Sequence, residues 1–250
     1  VAPEGPGHLA QLDLEPGRTG GQRNRSGLLA LGFGARETAS ILSNTNVEWV
    51  LSDLAVLSAN GVANGIYPTD AAEQVHYLCE DSGTSVLFVE DDEQLDKALE
   101  VRAMLPKLRK IVVFDMEGLR DFQDEQVISL DALRAMGREH AKAHPKALQE
   151  RSAAVRPDDL AILVYTSGTT GKPKGAMHAH QGLVYTVRGY NTLIARDEDD
   201  ECMCFLPLCH IAERMGGEYF SLYTGAKLNF VENPDTVPEN VREIAPTVFT

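Results

Sequence analysis

The sequence predicts an α/β fold with mostly parallel sheets flanked by helices. From residue 27 to residue 114, short apolar runs alternate with segments whose apolar residues recur at three- and four-residue steps. Such alternation is typical of a parallel sheet, because each helix crosses from one strand to the next. The 250 residues are 43% hydrophobic and 24% charged, as in ordinary globular proteins.

The elements before residue 115 follow in a regular order. Residues 1–26 are rich in proline and glycine and lack apolar periodicity, so we expect them to be irregular. Predicted strands then lie at residues 39–42, 62–67, 85–89 and 110–114. Of the four predicted helices, the first ends near residue 31, the second spans 47–60, the third begins near 70 and the fourth spans 93–104. We assign residues 27–157 to a first α/β subdomain with a peripheral insertion.

That insertion covers residues 115–157, and we expect it to lie at the surface with one helix near residues 131–142. The sheet then resumes. Its predicted continuation is a strand at 160–165, a second strand at 176–180, a helix at 183–194 and a strand that ends near residue 208. Residues 158–250 are therefore predicted to form a second region, which begins another α/β subdomain.

Charge and hydropathy exclude several classes of function. The formal net charge is −14, which disfavours nucleic acid as a partner. No apolar run approaches the roughly 18 residues that a membrane span needs, and no signal peptide is evident. We expect a cytoplasmic protein without a transmembrane segment, whose four cysteines are reduced thiols.

One cluster of cysteine and histidine suggests a metal site at first sight. Cys202, Cys204, Cys209 and His210 lie close together in the sequence. However, zinc sites usually pair their ligands in separate turns, whereas Cys202 and Cys204 fall on one face of a predicted strand. We therefore do not predict zinc binding there.

The most informative segment is the run of small, hydroxylic and basic residues at 165–175, YTSGTTGKPKG. Its glycines allow a ligand to approach the backbone, and its amides, hydroxyls and lysines can bind anionic oxygens. The spacing does not fit the Walker phosphate loop, since Lys172 is followed by Pro173 where a hydroxyl residue of a helix should stand. We predict instead a loop that joins two strands and lies over a phosphate chain.

This motif resembles that of the adenylate-forming superfamily, which includes acyl-CoA synthetases, luciferases and the adenylation domains of peptide synthetases. A second segment, PLCHIAER at residues 207–214, resembles the Pro-x-x-His segment of the same superfamily. Residues 211–250 resemble the bacterial long-chain acyl-CoA synthetase branch in particular. The resemblance covers residues 27–250 and only the front part of such an enzyme, so we expect a truncated large N-terminal domain.

The resemblance implies a reaction and its site residues. A fatty carboxylate would attack ATP to give an acyl-adenylate, which coenzyme A would then convert to acyl-CoA, with Mg²⁺ on the phosphates. Lys174 and His210 are the implied catalytic residues, and Thr166 is the implied magnesium ligand. The nucleotide phosphates would be bound by Thr166, Ser167, Gly168, Thr169, Thr170, Gly171, Lys172 and Lys174.

Several alternatives stay open at this stage. His210 has a purely structural interpretation, and we interpret His178, His180 and Trp49 as packing or hydrogen-bonding residues. The acid could be another carboxylic acid, such as an aryl or amino acid, or the chain could be a non-catalytic nucleotide- or partner-binding module. We expect the 250 residues alone to be inactive and poorly soluble. Acyl chain length, oligomeric state and peripheral membrane contact are not predicted.

Overall fold

A computed structural model of the protein describes residues 10–12, 20–166, 171–231 and 233–249. The chain divides into two compact units. The first comprises residues 1–18, 45–47 and 184–250, and the second comprises residues 19–44 and 48–183. This division falls at residues 183–184, whereas the sequence suggested a boundary at residues 157–158.

Ten strands are present in the described residues: β1 Ala10–Leu12, β2 Thr38–Leu42, β3 Val62–Ile66, β4 Thr84–Val89, β5 Lys110–Val113, β6 Val127–Ser129, β7 Leu160–Thr166, β8 Lys174–Ala179, β9 Glu201–Cys204 and β10 Lys227–Phe230. The helices are α1 Gly20–Ala30, α2 Val47–Ser58, α3 Ala72–Ser82, α4 Asp92–Val101, α5 Leu130–Ala143, α6 Ala147–Ala153, α7 His180–Leu193, α8 Ile211–Glu213, α9 Phe220–Thr224 and α10 Val237–Ile244. A π-helix, Arg214–Tyr219, connects α8 to α9.

The second unit is built on a seven-stranded sheet with the order β6-β5-β4-β2-β3-β7-β8. All neighbouring strands are parallel except the last pair, β7 and β8. Every residue of β2, β3 and β4 is buried, as expected for central strands covered by helices on both faces. The predicted α/β class with a mostly parallel sheet is confirmed.

The first unit contains a three-stranded sheet with the order β1-β10-β9. Strand β10 is parallel to β9 and antiparallel to β1. On the other side of β9, Cys202 forms a parallel bridge with Val248. Strand β9 packs against the π-helix Arg214–Tyr219 in the same unit.

Two segments differ from the sequence prediction. Helix α1 begins at Gly20 and β1 lies at Ala10–Leu12, within the 1–26 segment that was predicted to be irregular. Helix α1 packs against α5, and the contact is so close that a Cβ atom at Gly27 would lie 2.6 Å from the Leu133 carbonyl oxygen. Tertiary packing, rather than helix propensity, therefore accounts for α1.

The segment at residues 115–157 is also more than a surface insertion. It contributes β6, which extends the sheet next to β5, and the buried residues Leu130 and Leu133 of α5. None of the helices in the described residues is long and apolar enough to cross a membrane.

Candidate functional site

Strands β7 and β8 form an antiparallel hairpin at one edge of the seven-stranded sheet. Strand β7 is paired on its other side with β3, and its residues 161–164 are buried. The hairpin places the glycine loop between two strands, as predicted, rather than between a strand and a helix. This is the structural difference from a Walker loop that Pro173 indicated.

The hairpin brings two of the predicted site residues together. Thr166 is the last residue of β7, Lys174 is the first residue of β8, and the two are direct partners in the strand register. Both are exposed, as are Gly171 and Lys172 between them. The other predicted loop residues lie outside the described residues: Ser167, Gly168, Thr169 and Thr170.

Gly171 has a backbone conformation that suits glycine. Its φ is +102°, in the region that side-chain-bearing residues rarely adopt. A Cβ atom at this position would meet no atom within 4 Å, so backbone strain rather than crowding is the reason for glycine. The chain then continues through Lys172 and Pro173 into β8.

Helix α3 anchors both arms of the hairpin. The hydroxyl of Tyr165, on β7, donates a hydrogen bond of 2.7 Å to Asp81 Oδ2. The hydroxyl of Tyr77 donates one of 2.7 Å to the carbonyl oxygen of Pro173. The two tyrosine rings meet edge to face with centroids 6.5 Å apart.

The same tyrosines shape the charged part of the loop. Lys172 Nζ lies 4.7 Å from the ring centroid of Tyr77, a cation–π distance. A Cβ atom at Gly175 would lie 3.2 Å from the Tyr165 ring, so this glycine allows β8 to pass close to it. Burial, with Asp81 as a second cause, raises the pKa of Tyr165 well above its usual range, and its hydroxyl remains a donor.

Sequence reasoning missed this anchor. The roles of Tyr77, Asp81 and Tyr165 did not follow from the sequence pattern. Tyr77 and Asp81 are four residues apart and therefore share one face of α3. That spacing is visible in the sequence, but the partner across the fold, 96 residues away at Pro173, is not.

His210 lies in the first unit, whereas the hairpin lies in the second. It is exposed and caps α8, since its Nδ1 accepts a hydrogen bond of 3.1 Å from the Ala212 amide. The segment before it is held by Thr45, whose hydroxyl donates to the Leu206 carbonyl at 2.7 Å and accepts from the Leu208 amide at 3.2 Å. His210 therefore stands on a well-anchored loop with a defined ring orientation.

A buried carboxylate supports the same loop. Glu213 Oε2 accepts a hydrogen bond of 3.2 Å from the Leu206 amide, and its side chain also interacts with the Cys204 thiol. Burial raises the pKa of Glu213 above its usual range, and these hydrogen bonds partly oppose that shift. Cys204 lies on the neighbouring strand β9, so the carboxylate connects this strand to the helical segment that follows His210.

The cysteines behave as buried structural residues. Cys202, Cys204 and Cys209 are buried and form no disulfide. Burial raises the pKa of the Cys202 and Cys204 thiols, which disfavours the thiolate form that binds metals. Across the described part of the chain, no group of three or more histidine, cysteine or acidic side chains is arranged to hold a metal ion.

The remaining predicted structural residues are partly or fully buried. Trp49 is completely buried in α2. His178 is half-buried on β8, and His180 is half-buried at the start of α7, where its amide donates to the Asp159 carbonyl at 3.1 Å. Burial lowers the pKa of the His180 side chain, while nearby Asp159 and Asp53 oppose that shift.

The α/β domain, with its Thr-, Gly- and Lys-containing hairpin at the sheet edge, agrees with the class of adenylate-forming enzymes that the sequence motifs resemble. The sequence profile of the family described as "AMP-binding enzyme" matches residues 22–250. The chain belongs to this family.

Two relatives of this chain are named long-chain-fatty-acid–CoA ligases. The chain is 36% identical over 192 residues, 75% of its length, to the ligase FadD15 of Mycobacterium bovis. It is 29% identical over 231 residues, 89% of its length, to the ligase ACSBG2 of Xenopus laevis. In both cases it spans about 30% of the relative's length.

The fold is also similar to that of solved structures. The crystal structure of the anthranilate CoA ligase AuaEII, in complex with anthranoyl-AMP, matches 92% of this chain with a TM-score of 0.76 at 25% identity. The match covers 43% of that protein. The chain thus has the architecture of the N-terminal part of an adenylate-forming enzyme.

Proposed function

We propose that this chain is part of an ATP-dependent ligase that activates a long-chain fatty acid to an acyl-adenylate and then to acyl-CoA. The observation that carries the proposal is the hairpin in which Thr166 and Lys174 are paired at the mouth of the glycine loop. The ligase relatives support the choice of a fatty acid. Because the chain spans about 30% of the length of those relatives, we propose that the 250 residues alone do not catalyse this reaction.

In the first step, a carboxylate oxygen attacks the α-phosphorus of ATP, and the bond to pyrophosphate breaks. Negative charge accumulates on the departing pyrophosphate. Lys174 and the donors of the loop (Thr166, Ser167, Gly168, Thr169, Thr170, Gly171 and Lys172) would stabilise that charge. Preorganised donors of this kind are effective because they need no reorganisation during the reaction.

The Thr166 hydroxyl suits a magnesium ion, because Mg²⁺ prefers oxygen ligands and binds together with phosphate oxygens. When bound there, the ion would neutralise phosphate charge. The exposed position of Thr166 at the end of β7 leaves its side chain accessible to both.

His210 would orient the reacting carboxylate. Its Nδ1 accepts from the Ala212 amide, so the neutral ring carries its proton on Nε2, which can donate to a carboxylate oxygen. In the second step the thiol of coenzyme A gives up its proton to solvent and its sulfur attacks the acyl carbonyl, and AMP leaves with the electrons of the acyl–phosphate bond.

The test is fatty-acid-dependent pyrophosphate release by a protein that carries this chain at the length of its ligase relatives. We expect Lys174→Ala to reduce the rate at least about a hundredfold, as for removal of a transition-state donor. Lys107→Ala, a change at an exposed lysine in the loop after α4, is the matched control. An undiminished rate in Lys174→Ala would contradict the loop assignment.

A second substrate class has some support. The similar structure of AuaEII is that of an anthranilate CoA ligase, which acts on an aryl acid. Hydroxamate formation with a panel of fatty, aryl and amino acids would separate the two classes. Turnover with aryl acids and none with long-chain fatty acids would replace the fatty-acid proposal.

The non-catalytic alternative is that the chain is a nucleotide- or partner-binding module. Calorimetry with Mg-ATP on the 250-residue chain addresses it. Tight binding without acid-dependent AMP formation, in the chain and in a protein of the relatives' length, would favour the module.

A further inference from the structure

We propose that Tyr77 is a positioning residue for the phosphate-binding hairpin, and that its contacts give the two loop lysines different roles. Tyr77 and Lys172 together hold the turn at Lys172–Pro173, while Lys174 presents its charge to the anion. The phosphate part of this inference rests on the function proposed above. The positioning part rests on contacts within the second unit.

The first step is the geometry of the anchor. Helix α3 contacts the two arms of the hairpin separately, at Tyr165 through Asp81 and at Pro173 through Tyr77. Since Tyr77 and Asp81 lie one turn apart on α3, one rigid helical face fixes both ends of the loop. In the described sheet β8 is an edge strand, so these side-chain contacts add a restraint at Tyr165 and at Pro173 that no further strand supplies.

The second step concerns the acceptor. Pro173 has a fixed φ and no amide hydrogen, and its carbonyl oxygen accepts from the Tyr77 hydroxyl. The proline ring and the hydrogen bond therefore restrain the same residue, and the accepting carbonyl belongs to the peptide unit that joins Pro173 to Lys174. That unit immediately precedes Lys174, so its orientation sets the direction in which Lys174 enters β8.

The third step concerns the lysines. Lys172 Nζ lies over the Tyr77 ring, 4.7 Å from the centroid, and this contact holds its charge beside α3. Lys174 is exposed and paired in register with Thr166, the predicted magnesium ligand. The two lysines therefore have different surroundings before a ligand binds, and Lys172 must leave the Tyr77 ring if it is also to donate to the phosphates.

Preorganisation is the expected benefit. A loop that is held in place before the ligand arrives does not have to be ordered on binding, so more of the interaction energy becomes affinity. Removing the Tyr77 hydroxyl should therefore loosen the loop in the absence of ligand and weaken the binding of a polyphosphate.

The experiment uses hydrogen exchange, followed by mass spectrometry, on peptides covering residues 166–176 of the 250-residue chain without ligand. We expect Tyr77→Phe, which keeps the ring and removes the hydroxyl, to raise exchange in this segment about threefold to tenfold. Tyr77→Leu, which also removes the ring face, should raise it further. Lys172→Met should raise it about twofold to fivefold.

The binding arm uses inorganic tripolyphosphate with Mg²⁺, measured by calorimetry on the same proteins. We expect Tyr77→Phe to raise the dissociation constant about threefold to tenfold. The matched control is Tyr223→Phe, at a tyrosine of α9 that is 47% exposed. It should leave both exchange and binding unchanged.

The outcomes separate this inference from the proposed function. Exchange in Tyr77→Phe equal to that of the wild type overturns the positioning role, whether or not the wild type binds tripolyphosphate. Raised exchange in a protein whose wild type binds no tripolyphosphate supports the positioning role and counts against the phosphate-binding function. Raised exchange with unchanged affinity overturns the link between positioning and binding.

Discussion

The carboxylate of Glu213 occupies the space that a side chain at position 217 would need. A Cβ atom at position 217 would overlap Glu213 Oε1, far inside van der Waals contact. Glu213 is only 6% exposed, and its other oxygen accepts from the Leu206 amide. The glycine in the π-helix therefore leaves room for a buried carboxylate that supports the loop carrying His210.

Gly217→Ala should lower the free energy of unfolding by about 1 to 3 kcal/mol, because the added methyl group overlaps the carboxylate and must displace it. Urea denaturation followed by circular dichroism would measure the loss. The matched control is Gly216→Ala in the same π-helix, where a Cβ atom would meet nothing within 4 Å. Equal losses in the two variants would contradict the role assigned to Gly217.

Glu37 and Arg109 give a prediction for acid stability. Arg109 donates to both carboxylate oxygens of Glu37, at 2.9 and 2.6 Å, and this pairing lowers the pKa of Glu37 from 4.5 to about 2, against the opposing effect of partial burial. Because the pKa of Glu37 is lower in the folded state than in the unfolded state, the pair stabilises the fold at pH values above the unfolded-state pKa. The contribution should be complete above about pH 4.5 and should decline as the pH falls towards about 2.

Because both side chains are partly exposed, we expect Glu37→Gln to cost only about 0.5 to 1 kcal/mol at pH 7. The difference between wild type and variant should shrink between pH 4.5 and pH 2, the range set by the two pKa values. A double-mutant cycle with Arg109→Met, measured by urea denaturation at each pH, isolates the pair. A coupling that stays constant down to pH 2 would contradict the assignment.

Thr166 gives a prediction for metal dependence. If its hydroxyl binds magnesium, Thr166→Val should raise the Mg²⁺ concentration needed for half-maximal pyrophosphate release about tenfold or more in a protein of the relatives' length, as for other changes to metal-supporting groups. Thr166→Ser keeps the hydroxyl and should retain the wild-type magnesium dependence. An equal shift in both variants would indicate a packing role for the methyl group instead.

Much of the fold was predictable because local patterns determine it. The alternation of strands and helices predicted the parallel sheet, and Pro173 predicted that the glycine loop joins two strands. Three features depend on contacts between distant residues and were missed. They are the packing of α1 through Gly27 on Leu133, the addition of β6 to the sheet, and the anchor from Tyr77 to Pro173.

Helix α7 shows the limit of pattern reasoning most clearly. Its apolar residues were predicted from their spacing, and the helix is present at His180–Leu193. Periodicity predicts a helix, but it does not reveal whether the apolar side chains are covered. Leu183 and Val187 are buried, whereas Tyr185 and Leu193 are 81% and 82% exposed.

This exposed surface of α7 leads to a prediction about self-association. Large exposed apolar side chains favour association, and Val184 of α7 and Ile194, the residue after this helix, are exposed in addition to Tyr185 and Leu193. We therefore expect Leu193→Lys to reduce the apparent mass of the 250-residue chain in light scattering and to leave its circular dichroism spectrum unchanged. The matched substitution at a buried position of the same helix, Leu183→Lys, should instead destabilise the fold, since it buries an unpaired charge. A wild-type chain that is monomeric at high concentration would contradict the prediction, because the exposed leucine would then have no measurable effect on association.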